Sequence, residues 1–154
     1  MESEWTTTTV GSLCKNVTSG GTPRSSNKSY YSNEGIPWLN TKEVNFERIH
    51  RTEKFISQEG FENSAAKWIP ANSVIIAMYG ATAGKVATNA IPLTTNQACC
   101  NLIIDHEKAD HRFVYYHLSA NTNTLLELAN GAAQQNLNSG TIKNFPIPFP
   151  SLPE

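Results

Sequence analysis

Two apolar runs with a loop of small residues between them constrain this chain most. Val74 to Tyr79 reads Val-Ile-Ile-Ala-Met-Tyr, and Ala98 to Ile104 reads Ala-Cys-Cys-Asn-Leu-Ile-Ile. Both are apolar and partly β-branched, so both read as buried strands. Gly80-Ala-Thr-Ala-Gly84-Lys85 forms a tight loop, Val86 to Thr88 a return strand, and Asn96-Gln97 opens the second run. Two buried strands thus hold up two polar loops, and loops carried on rigid strands are where recognition concentrates. From Asn63 to Ile104 there is no Asp or Glu, while Lys67 and Lys85 are present. Trp5 to Asn33 is also free of acid and carries Lys15, Arg24 and Lys28. Chance produces such stretches in a chain with 16% charged residues, but an acid-free surface also suits a polyanionic partner.

The rest of the chain sets the fold class. Its 154 residues amount to about one domain, and 39% hydrophobic content suffices for a core. Trp5 to Thr9 reads as a strand, and Leu13 and Val17 at helical spacing predict a short helix over Val10 to Val17. Ser19-Gly-Gly-Thr-Pro23 is a loop, Ile36-Pro-Trp-Leu39 a short strand, and Ile49 to Ile56 a weak one. Ser57 caps a short helix into Phe61, Ser64 starts a further turn, and Pro70-Ala-Asn-Ser73 turns into the central strand. Beyond Ile104 the period becomes helical. Asp110 caps a helix over His111 to Ala120 with Phe113, Tyr116, His117 and Ala120 as its stripe. A second helix runs from Thr122 or Asn123 to Ala129 and ends at Asn130-Gly131, followed by an amide-rich loop from Gln134 to Leu137. Ser139 to Lys143 is a helical turn. Phe145-Pro-Ile-Pro-Phe-Pro150 alternates proline with large apolar residues and reads as an extended edge segment. Trp38 and Trp68 are expected in the core. The expectation is α+β: a twisted, mostly antiparallel β-sheet with short helices packed against it.

Several chemistries fail on residue spacing. Gly80-Ala-Thr-Ala-Gly84-Lys85-Val86 is one residue short of a P-loop, and Val86 stands where a magnesium-holding Ser or Thr is needed. No Asp-Pro-Pro-Tyr or Asn-Pro-Pro-Tyr motif for base amino methylation occurs. No lysine has an acidic residue two positions earlier, as metal-dependent nucleases require. Cys14, Cys99 and Cys100 form no metal-ligand spacing and fit a reduced, cytoplasmic setting. Ser12, Ser73 and Ser139 lack a nucleophile elbow, and His117 reads as a packed helix residue rather than a base. The acidic start Met-Glu-Ser-Glu-Trp is no signal peptide, and no run is long enough to span a membrane. Neither an active site nor a cofactor is expected.

The ordered set Ser19-Gly-Gly-Thr-Pro23, Gly35-Ile-Pro-Trp-Leu39, Pro70-Ala-Asn-Ser73, Tyr79-Gly-Ala-Thr-Ala-Gly-Lys85, Asn96-Gln97-Ala98 and Ile147-Pro-Phe-Pro-Ser-Leu-Pro-Glu154 resembles one known family. It is the target recognition domain of type I restriction–modification specificity (S) subunits. The resemblance implies a single recognition domain over residues 1–154, ending where the family's spacer helix begins. It implies that the chain reads one half of a bipartite site in double-stranded DNA. Modification (methyltransferase) subunits would then methylate adenine using S-adenosylmethionine, and restriction (translocase/nuclease) subunits would cleave. The chain itself would be non-catalytic and cytoplasmic, with no membrane partner.

The residues fit that role individually. Gly80 and Gly84 let a loop backbone approach a phosphate, Lys85 supplies charge, and Thr82 donates to a phosphate or base edge. A tight hairpin accounts for the same glycines. Asn96 and Gln97 are side chains that read adenine bidentately, or caps of the strand that follows. Thr22, Arg24, Lys28, Asn40, Lys42 and Tyr79 complete the expected DNA-binding set. Arg24 and Lys28 read equally as solvated surface charge, and Tyr79 as packing or stacking. Two alternatives stay open: the recognition domain of a single-chain restriction–methyltransferase enzyme, and a non-catalytic protein–protein adaptor.

Overall fold

The computed structural model describes residues 5–129 and 137–150. At its centre lies the strand Val74–Ala77, whose four residues are all fully buried. Val74 and Ile76 face one apolar cluster, Ile75 and Ala77 another. A strand covered on both faces has no use for polar alternation, which is why its sequence is continuously apolar.

In chain order the strands are β1 (Trp5–Thr9), β2 (Cys14–Ser19), β3 (Tyr31–Ser32), β4 (Ile36–Leu39), β5 (Arg48–Ile49), β6 (Lys54–Ile56), β7 (Val74–Ala77), β8 (Val86–Asn89), β9 (Thr94–Thr95), β10 (Cys99–Ile104) and β11 (Pro146–Pro150). The helices are α1 (Gln58–Glu62), α2 (His111–Ala120), α3 (Thr122–Ala129) and α4 (Ser139–Lys143). The strands form three sheets, in the orders β2-β10-β7-β8-β5, β3-β6-β4-β9 and β1-β11. Pairing is antiparallel except for β5 with β8 and β4 with β9. The α+β expectation holds, with the strands shared among three sheets.

The helices cover one face of the central sheet. Val114 and Leu118 of α2, Leu125 of α3 and Ile142 of α4 are fully buried against Val74, Ile76, Val86 and Leu102. Burying such a side chain contributes about 1.5–3 kcal/mol. The caps expected at Ser57 and Asp110 form, and Asn138 adds a third. Ser57 Oγ accepts from Gly60 N at 3.0 Å, Asp110 Oδ1 from Arg112 N at 2.8 Å, and Asn138 Oδ1 from Thr141 N at 2.8 Å. Asn89, wholly buried, joins the turn before β7 to the end of β8. It accepts from Ser73 N at 2.9 Å and donates to the carbonyls of Pro70 at 2.8 Å and Ile91 at 2.9 Å.

The prolines of β11 have a directional effect. Phe145 O accepts from Val10 N at 2.9 Å, and the register pairs Thr8 with Ile147 and Thr9 with Pro146. Alternation therefore turns the backbone N–H and C=O of Ile147 and Phe149 toward β1 and the carbonyls of Pro146 and Pro148 outward. The outer edge presents carbonyls without N–H donors, and so offers a poor template for a further strand. His117 Nε2 lies 2.8 Å from one of these carbonyls, that of Pro146, and its ring packs on Phe145. That is the packed role expected of it.

Three expectations are corrected. The helix over Val10 to Val17 is a 3-10 turn at Val10–Leu13 followed by strand β2. Leu13 is drawn into the core while Cys14–Ser19 completes the open side of β10, so strand pairing overrides the helical spacing. Trp68 is 47% exposed, its ring only meeting Phe61 at a centroid distance of 6.2 Å, whereas Trp38 is buried. In α2 the core stripe is Val114 and Leu118, and Tyr116 faces solvent. Asn130-Gly131 and most of the amide-rich loop lie outside the described residues, as does the end of the terminal proline motif.

Candidate nucleic-acid interface

The registers bring several loops to one end of the sheets. Cys100 pairs with Ser19, Cys99 with Ala77, Ile76 with Val86, and Leu39 with Thr95. The segments after β2, β4, β7 and β9 therefore emerge side by side. These segments hold Thr22, Asn40, Tyr79 to Lys85, and Asn96 with Gln97. The two acid-free sectors adjoin here, through β2 and β10.

The loop from Tyr79 to Lys85 is built as two linked turns. Gly80 and Gly84 sit at φ +85° and +86°, the left-handed region that glycine alone enters without cost. Ala83 N, Gly84 N and Lys85 N donate to Gly80 O, Ala77 O and Thr82 O at 3.1, 2.8 and 2.8 Å. The N–H groups of Gly80, Ala81 and Thr82 have no partner among the described residues. A Cβ on Gly80 would meet nothing within 4 Å, whereas one on Gly84 would press on Thr122 and Leu126 of α3. So Gly84 seats the loop on the helices, and Gly80 leaves its tip open. Lys85, half-buried at the stem, has no ion pair among the described residues. Tyr79 is 41% exposed.

Asn96 and Gln97, neighbours in sequence, differ in structure. Asn96 Nδ2 donates to Asn40 Oδ1 at 3.3 Å, and its Oδ1 accepts from Ala98 N at 3.2 Å and Cys99 Sγ at 3.4 Å. Its amide is engaged at both ends, the capping arrangement. Gln97 is exposed and accepts a single hydrogen bond, from Thr22 Oγ1. Thr82 Oγ1 donates to Thr41 O at 2.7 Å, so this hydroxyl ties the β7–β8 loop to the segment after β4. Lys42 pairs with Glu53 at 3.6 Å, both well exposed. Arg24 and Lys28 are exposed and form no ion pair among the described residues. They lie on the segment that runs on from Thr22 along an open groove of ≈ 510 Å³ between Thr22, Tyr31, Trp38 and Phe55.

Sequence reasoning missed what holds Thr22 in place. Gly20 lies so close to β9 that a Cβ would fall 1.9 Å from Thr95 O. Gly21 N donates to that same oxygen at 3.0 Å, and Trp38 Nε1 donates to Gly21 O at 3.0 Å. Tyr31 meets the Trp38 ring edge-on at 5.8 Å. The Gly20-Gly21 doublet was the available signal, since adjacent glycines mark close backbone approach as readily as a flexible turn.

The shifted titratable groups have structural causes. Burial pushes the Cys99 and Cys100 thiols up to about 12 and Cys14 up to about 11, far from nucleophile range. The hydrogen bond from Arg112 holds the Asp110 carboxyl well below the usual carboxylate range. Burial lowers His111, and the nearby Arg48 adds to the effect. No group of three or more His, Cys, Asp or Glu among the described residues is arranged to hold a metal. No described helix is long and apolar enough to cross a membrane.

A β-rich scaffold with clustered, glycine-shaped polar loops at one end defines a recognition module. Residues 2–154 match the model of the type I restriction modification DNA specificity domain, and the chain belongs to that family. It is 29% identical over 158 residues to the EcoR124I/EcoR124II specificity subunit of Escherichia coli, covering 99% of this chain and 38% of that subunit. It is 33% identical over 136 residues to the HindI specificity subunit of Haemophilus influenzae, covering 86% of this chain and 29% of that one. The chain thus spans under two fifths of the length of these relatives. The fold is shared with the HsdS subunit from Thermoanaerobacter tengcongensis, at TM-score 0.70 and 18% identity over 95% of this chain and 33% of that one. It is shared with the type I S subunit from M. genitalium, at TM-score 0.68 and 20% identity over 97% of this chain and 35% of that one.

Proposed function

We propose that residues 1–154 are a single DNA target recognition domain that reads one half of a bipartite site in double-stranded DNA. The domain is non-catalytic and works in the cytoplasm. Modification subunits methylate adenine at the site it selects, and restriction subunits cleave. The observation that carries this reading is the convergence of four loops at one end of the sheets. That end offers three backbone N–H groups and a Lys85 ammonium without partners among the described residues, and the exposed amide of Gln97. Free N–H groups and a lysine suit phosphate oxygens, which position a protein on the duplex. A glutamine amide held by one neighbour can present its remaining donor and acceptor to adenine. Asn96, engaged at both ends, supports the base-reading loop from within. Arg24, Lys28 and Lys42 flank the face as further backbone contacts.

The test compares two substitutions in the full-length subunit assembled with its modification partner. Lys85→Ala weakens binding to all sequences alike and makes log affinity against log salt shallower by about one unit. Gln97→Ala relaxes discrimination at one base pair, costing about 1–3 kcal/mol for the correct base, and leaves the salt slope unchanged. If both variants fold and neither affinity nor selectivity changes, this end of the sheets is not the DNA-reading face.

A further inference from the structure

Phe46 is a bulky residue in a conformation that its backbone disfavours and solvent can reach. Its φ is +60°, in the left-handed region that aromatic residues avoid, and it is 41% exposed. Glu43, Val44, Phe46 and Glu47 are each held in place, with the exposed Asn45 between them. Glu43 N donates to Asn40 O at 2.9 Å, and the Glu43 carboxylate accepts from Asn40 N and Glu53 N, each at 3.0 Å. Val44, next along, is fully buried. Phe46 N donates to Val86 O at 2.7 Å, and Glu47 O accepts from Thr88 N at 3.1 Å. The loop is therefore held by hydrogen bonds on both sides of the strained residue, which is its exposed large apolar side chain. A strained backbone that displays an aromatic ring is an outlier that asks for a functional reason.

Its position supplies one. Val86 begins β8, immediately after Lys85, so Phe46 stands beside the stem of the glycine loop. Thr41 O accepts from Thr82 Oγ1, which fastens the two loops together. Asn45 and Lys42 beside it are exposed. The acids Glu43 and Glu47 on either side of Phe46 disfavour a phosphate at this point of the segment, beyond Lys42, and the exposed ring is the apolar contact offered there. An apolar side chain held rigidly beside a DNA-reading face can press between base pairs and unstack a step. We propose that Phe46 is an aromatic wedge directed at one base step of the half-site, adding a reading of DNA deformability to the direct reading by Gln97. This rests on the DNA-recognition reading above. It also names a contact class, base stacking, that no charge or amide on the face provides.

The test again uses the full-length subunit with its modification partner. 2-Aminopurine is placed in turn at each purine of the half-site, other than the adenine that is methylated. The wild type raises fluorescence at one step, and Phe46→Ala abolishes that rise. Phe46→Ala also weakens cognate binding about tenfold and leaves the salt slope unchanged, since no phosphate contact is lost. Phe46→Tyr, which keeps the ring, restores both signals. Phe46→Gly binds as weakly as Phe46→Ala yet melts above it, because glycine relieves the left-handed strain. Wild-type affinity and an unchanged fluorescence pattern in Phe46→Ala overturn the wedge while leaving DNA reading intact. Absence of any sequence-selective binding by the wild type overturns both.

Discussion

Replacing Gly20 with alanine attacks the foundation of the face without touching a candidate contact. The new Cβ would lie 1.9 Å from Thr95 O, 2.5 Å from Thr95 C and 2.4 Å from Thr95 Oγ1. Thr95 cannot withdraw: it is fully buried in β9, and its hydroxyl accepts from Asn101 Nδ2 at 2.9 Å. Raising 1.9 Å to the 3.4 Å of ordinary contact forces the Gly20–Thr22 segment to lift by about 1.5 Å. That breaks the bond from Gly21 N to Thr95 O and strains the one from Trp38 Nε1 to Gly21 O, each 3.0 Å long. At about 0.5–1.5 kcal/mol net per hydrogen bond, and about 1–3 kcal/mol for a buried group left unpaired, the loss is about 2–4 kcal/mol. Gly80→Ala is the control. Its Cβ meets nothing within 4 Å, so only the left-handed φ is penalised, at about 1 kcal/mol. Urea unfolding followed by tryptophan fluorescence measures both, as midpoint shifts at constant m. The lifted loop also carries Thr22 away from Gln97, so the surviving folded Gly20→Ala protein discriminates less sharply at the base pair proposed for Gln97. A Gly20→Ala protein within about 0.5 kcal/mol of wild type, or no less stable than Gly80→Ala, refutes the locked-loop reasoning.

Asn96→Ala destabilises the fold by about 1–3 kcal/mol in the same assay, because it strips partners from Asn40 and Ala98, whereas Gln97→Ala stays within about 0.5 kcal/mol of wild type. Equal effects from the two would mean that their roles are not divided. Asp110→Ala removes the α2 cap and costs about 1 kcal/mol at neutral pH. The folded-state pKa of Asp110 is depressed, so its contribution is present above the ordinary carboxylate value of about 4 and is lost as pH falls toward the folded value. The stability gap between wild type and Asp110→Ala therefore closes in acid, and a gap constant from pH 7 to pH 2 contradicts the Arg112-stabilised carboxylate.

Much of the architecture was legible because local and global preferences agree. The β-branched run at Val74–Ala77, the capping residues Ser57 and Asp110, and the alternating prolines of β11 each declare their element through backbone or hydrogen-bond chemistry. The misreadings fall where tertiary context decides. Leu13 and Val17 have helical spacing, yet β10 needed a partner strand. Trp68 is apolar, yet it lies at the surface beside Phe61, about half exposed. At the candidate interface the sequence does not disclose how Asn96 and Gln97 differ. Nothing in Asn96-Gln97 reveals that one amide turns inward to Asn40 and the other outward beside Thr22, since the partners are 56 and 75 residues distant. Phe46 was invisible for the same reason: only a backbone pinned to Val86 puts a phenylalanine at positive φ.

The central claim is that this one domain chooses half of a DNA target. The direct measurement replaces the corresponding domain of a characterised type I specificity subunit with residues 1–154, expresses the hybrid with its partner subunits, and maps methylated adenines across a host genome by single-molecule sequencing. The account predicts that one half of the bipartite motif changes to a new sequence while the other half is retained. Further, Gln97→Ala in the hybrid relaxes one position of the new half alone. A hybrid that assembles and methylates while keeping the parent's full motif contradicts it.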